Sequence, residues 1–312
     1  MEFKDVENAR IIYHKKLSRI WTIGLIIGAV IAALTCVFSG ISGGFDGFTI
    51  FLFLITLGFA AMIVGVVVLF ATRKQAEAYQ EAYKKYFVEK NMAAIFSNLK
   101  YDHKVGLNRD MLKVSGMVNT GDRYHSNDLA MANYKGVNFV QADVHIETEH
   151  TDSEGNTTYV TIFRGRFMVF EFPKKFSFKL ELIGKKYGSA YRVPGKNPKT
   201  GRKMAKLNTE SGDFNRNFRI FAEDGFEAFY ILDPAFMEKI QKISDAYNGR
   251  ILMGFLDNTL LIGLNDGKDS FEPPKSSKVI DEKAETAKIA GEIRVITDFV
   301  DVLKLDRKLF VN

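Results

Sequence analysis

At 312 residues, 46% hydrophobic and 26% charged, the chain has the make-up of a folded protein with room for two average domains, not of a disordered polymer. Its single cysteine excludes an internal disulfide framework and a cysteine-rich zinc site. A net charge of +6, from 43 Lys+Arg against 37 Asp+Glu, is too small to argue for nucleic acid, which is not expected as a partner.

Residues 1–19 read as an amphipathic cytoplasmic helix. Phe3, Val6, Ala9, Tyr13 and Leu17, continued by Ile20, recur at three and four residues and so share one helix face. Residues 20–72 read as a transmembrane hairpin. Its two spans, 20–38 and 48–72, carry no charge, and each is long enough for the roughly 20 apolar residues that cross a bilayer. The connector, Ser39 to Gly47, is glycine-rich and has no Lys or Arg. Lys4, Arg10, Lys15, Lys16 and Arg19 precede the first span, and Arg73, Lys74, Lys84 and Lys85 follow the second. The positive-inside rule therefore predicts two spans with both termini cytoplasmic. A cleavable signal peptide does not fit, because the leading region is long, mixed in charge and followed by a second span. With no ionisable group inside either span, an ion path through this chain is not expected. Gly24, Gly28 and Ala32 on the first span, and Gly58, Ala61 and Gly65 on the second, form small-residue stripes for helix packing, within the hairpin or between copies.

Residues 73–98 are expected to form a helical stalk, since no Gly or Pro occurs from Val66 to Val105 and Ala76, Tyr79, Tyr83 and Tyr86 mark one face. Two antiparallel helices leaving a hairpin would set this face against that of residues 1–19; the alternative is that each stripe docks separately on the soluble domain. From about residue 99 the period changes from helical to alternating, and 99–270 is expected to be an α+β cytoplasmic domain with a mostly antiparallel sheet. Val140, Ala142, Val144 and Ile146 alternate with Gln141, Asp143, His145 and Glu147, which predicts a strand with one wet face. Tyr159–Phe172 reads as a long strand with a bulge at Gly165. Phe176, Phe178, Leu180 and Leu182 alternate with Ser177, Lys179 and Glu181, which predicts a second half-buried strand, and Phe214–Ala222 a third. Asp233-Pro234 is an N-cap with a first-turn proline, followed by the helix face Phe236, Ile240, Ile243. Leu256-Asp257-Asn258 predicts a hairpin turn. Pro273-Pro274 marks a linker, and 278–306 reads as a C-terminal amphipathic helix whose stripe is Ile289, Ile293, Ile296, Val300 and Leu303.

No residue pattern specifies a reaction. Gly121–Asp128 is dense in polar groups, and Arg123, His125 and Asp128 are the catalytic candidates it offers; as a segment it reads as a loop between strands. His145, Glu147 and Glu149 share a strand face, but alternation already explains them as the solvent face, and no metal or other cofactor is expected. Gly195–Lys203 fails the spacing of a phosphate loop. The same region holds a purely basic run, Lys185, Lys186, Arg192, Lys196, Lys199, Arg202, Lys203 and Lys206, with no acid between Leu182 and Thr209. Anionic lipid of the inner leaflet attracts such a run by about 1 kcal/mol per charge near the surface.

Four stretches carry a family resemblance: Tyr124-His125-Ser126-Asn127-Asp128 followed by Gly136; Phe163-Arg164-Gly165-Arg166-Phe167; Asp213-Phe214 to Phe218, continued by Asp224 to Leu232-Asp233-Pro234-Ala235-Phe236-Met237; and the tail helix. In their order and spacing the chain resembles a bacterial membrane-protein family called domain of unknown function 3137. The resemblance implies a bacterial plasma (inner) membrane protein and brings no activity or site residues with it. Together these readings predict a membrane-anchored, non-enzymatic protein-interaction or membrane-organising module, with a protein partner or further copies of itself. The alternative is an inner-leaflet enzyme or an anionic-lipid-binding protein using the basic 182–209 segment.

Overall fold

The computed structural model describes residues 1–41, 47–172, 175–176, 178–197 and 200–305. Most of the connector between the two spans, Ser177, Lys199 and the last predicted residue of the tail helix lie outside the described residues. The fold is α+β: two long apolar N-terminal helices, a nine-stranded antiparallel sheet and a C-terminal helix. The chain forms two compact units, one of Met1–Phe87 with Pro273–Glu285, the other of Val88–Glu272 together with the chain from Thr286.

In the first unit, α1 (Phe3–Ile41) packs against α2 (Gly47–Tyr83). Both are long and apolar enough to cross a membrane, and their most apolar stretches bury nothing in the isolated chain. Gly24 abuts Val64, so close that a Cβ there would lie 2.9 Å from the valine methyls. Gly28 and Ala32 continue that partly covered side of α1. On α2 the small residues are offset from the contact: Gly58 and Ala61 are exposed, and neither Gly58 nor Gly65 has anything within 4 Å of a Cβ position.

Beyond the apolar stretches the aromatic stripes of α1 and α2 meet. Tyr13 stacks on Tyr79 at 6.1 Å, Phe3 packs on Tyr86 and Phe87 at 6.0 and 6.1 Å, and Val6 and Tyr83 are fully buried. The segment 273–285 seals this small aromatic core. Ile280 N–H donates to Glu7 (3.1 Å), Tyr86 OH to Glu282 (2.5 Å), and Tyr83 OH to Glu285. After Tyr83 the helix widens into a π-helical turn, Lys84–Glu89, then resumes as α3 (Lys90–Ile95).

The second unit is built on strands β1 (Ser97–Asp102), β2 (Arg123–Tyr134), β3 (Val137–Thr151), β4 (Thr157–Glu171), β5 (Leu180–Gly184), β6 (Ala205–Leu207), β7 (Phe218–Ala222), β8 (Ile251–Leu256) and β9 (Thr259–Leu264). Their spatial order is β1-β2-β3-β4-β9-β8-β5-β7-β6. Helices α4 (Arg109–Ser115), α5 (Gly212–Asn217), α6 (Gly225–Ile231), α7 (Pro234–Ala246) and α8 (Glu282–Leu303) complete the list. One sheet face, with Ala142, Val144, Ile146, Phe163, Phe167, Ile183 and Leu252, packs against Leu112 of α4 and the following Met117 and Val118. The other face meets α7 through Phe236 and Phe255 (6.1 Å), and α8 through Phe170 and Phe299 (6.3 Å). The tail stripe Ile289, Ile293, Ile296, Val300 and Leu303 is therefore buried within the chain itself.

Asp233 caps α7 by accepting from Phe236 N–H at 2.7 Å, as Asp233-Pro234 predicts. Leu256 and Thr259 pair across the two-residue turn between β8 and β9, with Asp257 at φ 52°.

Four expectations are corrected. Gly121–Asp128 is not a loop: from Arg123 it is strand β2, paired with β3. The bulge of β4 is not at Gly165 but at Ile162, since Ile146 pairs with Phe163 and Glu147 with Thr161. Gly165 serves a different need: at φ 152° a Cβ would sit 2.0 Å from the Leu264 carbonyl oxygen of β9. Phe214–Ala222 is not all strand, because Ser211 accepts from Phe214 N–H and starts α5 before β7 begins. The alternation at 176–182 does not give a half-exposed strand. Every residue of β5 is buried, and the two charges meant for water, Lys179 and Glu181, form a buried ion pair at 2.6 Å.

Candidate functional site

Strand register collects polar side chains on one face of β2, β3 and β4. Arg123, His125 and Asn127 pair with Glu147, His145 and Asp143, and the last two pair in turn with Arg164 and Arg166. The ladder begins in solvent and ends in the interior. At the open end the Arg123 guanidinium lies 3.2 Å from the centre of the Tyr159 ring, and His145 Nε2 is 2.9 Å from Thr161 Oγ1. Glu147 is 4.0 Å from the same imidazole, and Glu149 accepts from Tyr159 OH at 2.9 Å. The predicted wet face of β3 is thus correct for His145, Glu147 and Glu149. It fails for Gln141 and Asp143, which are buried.

The buried end is put together by three distant parts of the chain. A second bulge, in β2 after Asn127, puts Asp128 at φ 57°. Aspartate tolerates this left-handed geometry better than most residues. Asp128 is fully buried, and its carboxylate accepts from Tyr101 OH (2.5 Å) and Asn127 Nδ2 (2.7 Å). Gln141 Nε2 donates to the Asp128 carbonyl at 2.9 Å. Asp143 accepts from Ser270 N–H, and its Oδ1 lies 3.7 Å from Arg166 Nε. Arg166 donates to Ser270 Oγ from that same Nε (3.0 Å) and from Nη2 (2.7 Å), and from Nη1 to the Glu292 carbonyl of α8 (2.6 Å), with its guanidinium 5.0 Å from the centre of the Phe271 ring. Arg166 therefore latches β4 to the 270 segment and to α8.

Burial dominates the electrostatics here. It pushes the Asp143 carboxyl up to about 7, against the opposing pull of Arg166. It likewise raises the Tyr101 hydroxyl, helped by the Asp128 carboxylate that Tyr101 bonds. Carboxyl oxygens of Asp128, Asp143 and Asp269 lie within 4.8 Å of one another, an all-oxygen donor set suited to a hard cation. Each is already engaged: Asp128 by Tyr101, Asp143 by Ser270 and Arg166, Asp269 by Arg164 at 3.2 Å. The arrangement acts as an internal charge network tying β4 and α8 together.

The catalytic candidates are consequently split. Arg123 and His125 are exposed at one end of the ladder, and Asp128 is sealed at the other. Of the basic run, Lys185, Lys186, Arg192, Lys196, Arg202, Lys203 and Lys206 are exposed along the connection from β5 to β6, where Lys196 and Lys203 bridge. Four strands separate β2 from β5 in the sheet. Tyr101, Asp143, Arg166 and Asp269 were not candidates. Their signal was the arginine pair in Phe163-Arg164-Gly165-Arg166, which has meaning only once β3–β4 register places each arginine opposite His145 or Asp143.

Among solved structures, the crystal structure of the mycobacterial trehalose monomycolate transport factor A, TtfA, is similar at 10% identity, over 72% of this chain and 94% of that one, with a TM-score of 0.39. A likeness that low supports no inference about fold or role. The chain has no match among curated proteins. A family model does match, over residues 161–305, and it takes in Phe163–Phe167, Asp213–Met237 and the tail helix but not Tyr124–Asp128. Over that region, a little under half of the chain, it is similar to the family described as protein of unknown function (DUF3137).

Proposed function

We propose that the protein is an integral membrane protein of a bacterial plasma membrane, with two spans and both termini cytoplasmic, whose sheet-bearing unit is a non-enzymatic interaction or membrane-organising module. The proposed plan is a cytoplasmic helix at 1–19, a hairpin at 20–72, a stalk at 73–98, a cytoplasmic domain at 99–270 and a terminal helix at 278–306. The observation that carries this reading is the pair of long helices whose apolar stretches bury nothing in the isolated chain. Apolar surface on that scale calls for lipid or another chain to cover it. The basic flanks of both spans support the orientation. Exposed Gly58 and Ala61 leave a small-residue surface on α2 that a partner helix could approach closely. The exposed basic run supports a compatible second role, diffuse contact with anionic lipid.

Extraction of the tagged full-length protein from its own membranes in mild detergent, followed by native mass measurement, tests the assembly claim. A discrete complex with another protein, or a defined oligomer of the chain, is expected. A solitary monomer across detergents would overturn it.

A further inference from the structure

We infer that the sheet-bearing unit contains a binding site for a phosphate-bearing anion, in a cleft of about 380 Å³ lined by Arg164, Lys186 and Arg250. Among the described residues no acidic side chain lines this cleft. Neither Lys186 nor Arg250 has an ion-pair partner among the described residues, and both are exposed. Arg164 pairs with Asp269 through one nitrogen at 3.2 Å, on a half-exposed side chain. Such surface pairs contribute little, about 0–1 kcal/mol, and a guanidinium keeps further donors free. Beside one concavity, Lys186 and Arg250, two cations without an ion-pair partner among the described residues, together with the partly satisfied Arg164 make a local positive field that an anion relieves. A phosphoryl group, with two charges and several acceptor oxygens, suits a cleft lined by several cationic donors better than a single carboxylate does.

The cleft is built, not a chance gap. One partly buried side chain, Asn265, fastens its walls. Asn265 Nδ2 donates to the Ile162 carbonyl (3.0 Å) and to the Tyr187 carbonyl (2.8 Å), and its Oδ1 accepts from Arg164 N–H (3.0 Å). Its own N–H donates to the Arg250 carbonyl at 3.0 Å. The backbones carrying Arg164 and Arg250, and the one next to Lys186, are therefore tied to one residue. The bulge at Ile162 opens β4 at this point, and bulges recur beside binding sites because they re-aim a strand. Gly188 closes the turn beside Asn265 at φ 93°, a left-handed conformation that favours glycine. The site differs from the diffuse basic run, of which Lys186 alone lines it, and it does not rest on the assembly reading.

The test uses the full-length chain with inorganic phosphate as probe, by titration calorimetry in nonionic detergent. It also follows hydrogen exchange at Lys186–Gly188 after reconstitution in phosphatidylcholine vesicles with and without phosphatidylglycerol. Saturable phosphate binding, about tenfold weaker in K186Q/R250Q and unchanged in K196Q/R202Q/K203Q, is expected for a soluble phosphate ligand. Slowed exchange only with phosphatidylglycerol, lost in K186Q/R250Q alone, identifies a lipid headgroup as the source. Equal losses in both variants, or no response to either probe, would overturn the site.

Discussion

Replacing Lys179 with methionine should destabilise the sheet-bearing unit by about 3–5 kcal/mol, because it strands a carboxylate inside the protein. Glu181 has no accessible surface, and Lys179 is 2% exposed. Lys179 Nζ lies 2.6 Å from Glu181 Oε1 and donates to the Ser115 carbonyl at 2.7 Å, at the C-terminal end of α4. Glu181 Oε2 has no hydrogen-bond partner among the described residues. Burial already raises the Glu181 carboxyl, even with the ammonium beside it. Removing the ammonium leaves the burial cost with nothing to offset it. The double variant K179M/E181L should recover most of the loss, since a packed apolar pair of similar volume avoids the desolvation altogether. Urea unfolding of the full-length protein in mild detergent, followed by far-ultraviolet circular dichroism, measures both. A K179M variant as stable as wild type would show that the pair is not buried as described.

Arg166→Met should also cost about 3–5 kcal/mol, with a pH dependence that separates it from a simple packing defect. Arg166 is 6% exposed and joins Asp143, Ser270 and the Glu292 carbonyl. Folding carries Asp143 from its ordinary 3.8 up to about 7. Between those values the folded protein binds more protons than the unfolded chain, so stability falls as pH rises. Losing Arg166 raises the folded carboxyl further and extends that fall above pH 7. The penalty of R166M should therefore be larger at pH 8 than at pH 5. In D143N/R166M the extra loss at pH 8 should vanish, because no carboxyl is left to ionise. An R166M penalty that does not change with pH would remove Asp143 from the network.

What could be read in advance was whatever is local in sequence. Apolar length marked the two long N-terminal helices, three-four spacing marked the stripes near their ends without saying what each would meet, Asp233-Pro234 marked the start of α7, and the tail stripe marked the buried side of α8. The corrections share one cause. Alternation tells which residues share a strand face but not what covers that face. Asp143 reads as wet because its cover, Ser270, arrives more than a hundred residues later, and Gln141 because the Asp128 carbonyl it bonds is brought to it by β2–β3 pairing. Lys179 and Glu181 read as wet for the same reason, their cover being the end of α4. Bulges are also invisible to alternation, so neither the turn of Asp128 into the interior nor the opening of β4 at Ile162 could be placed. The anion cleft depends on both register and that bulge, and the basic run pointed to one of its three cations, Lys186.

Protease accessibility from the two sides of the membrane distinguishes the proposed two-span hairpin, with both termini cytoplasmic, from any other topology. In intact spheroplasts, externally added protease should leave residues 73–305 uncut, and in inverted vesicles the same protease should cleave within them. Cleavage in spheroplasts, or release of the whole chain from membranes by alkaline carbonate, would rule this topology out.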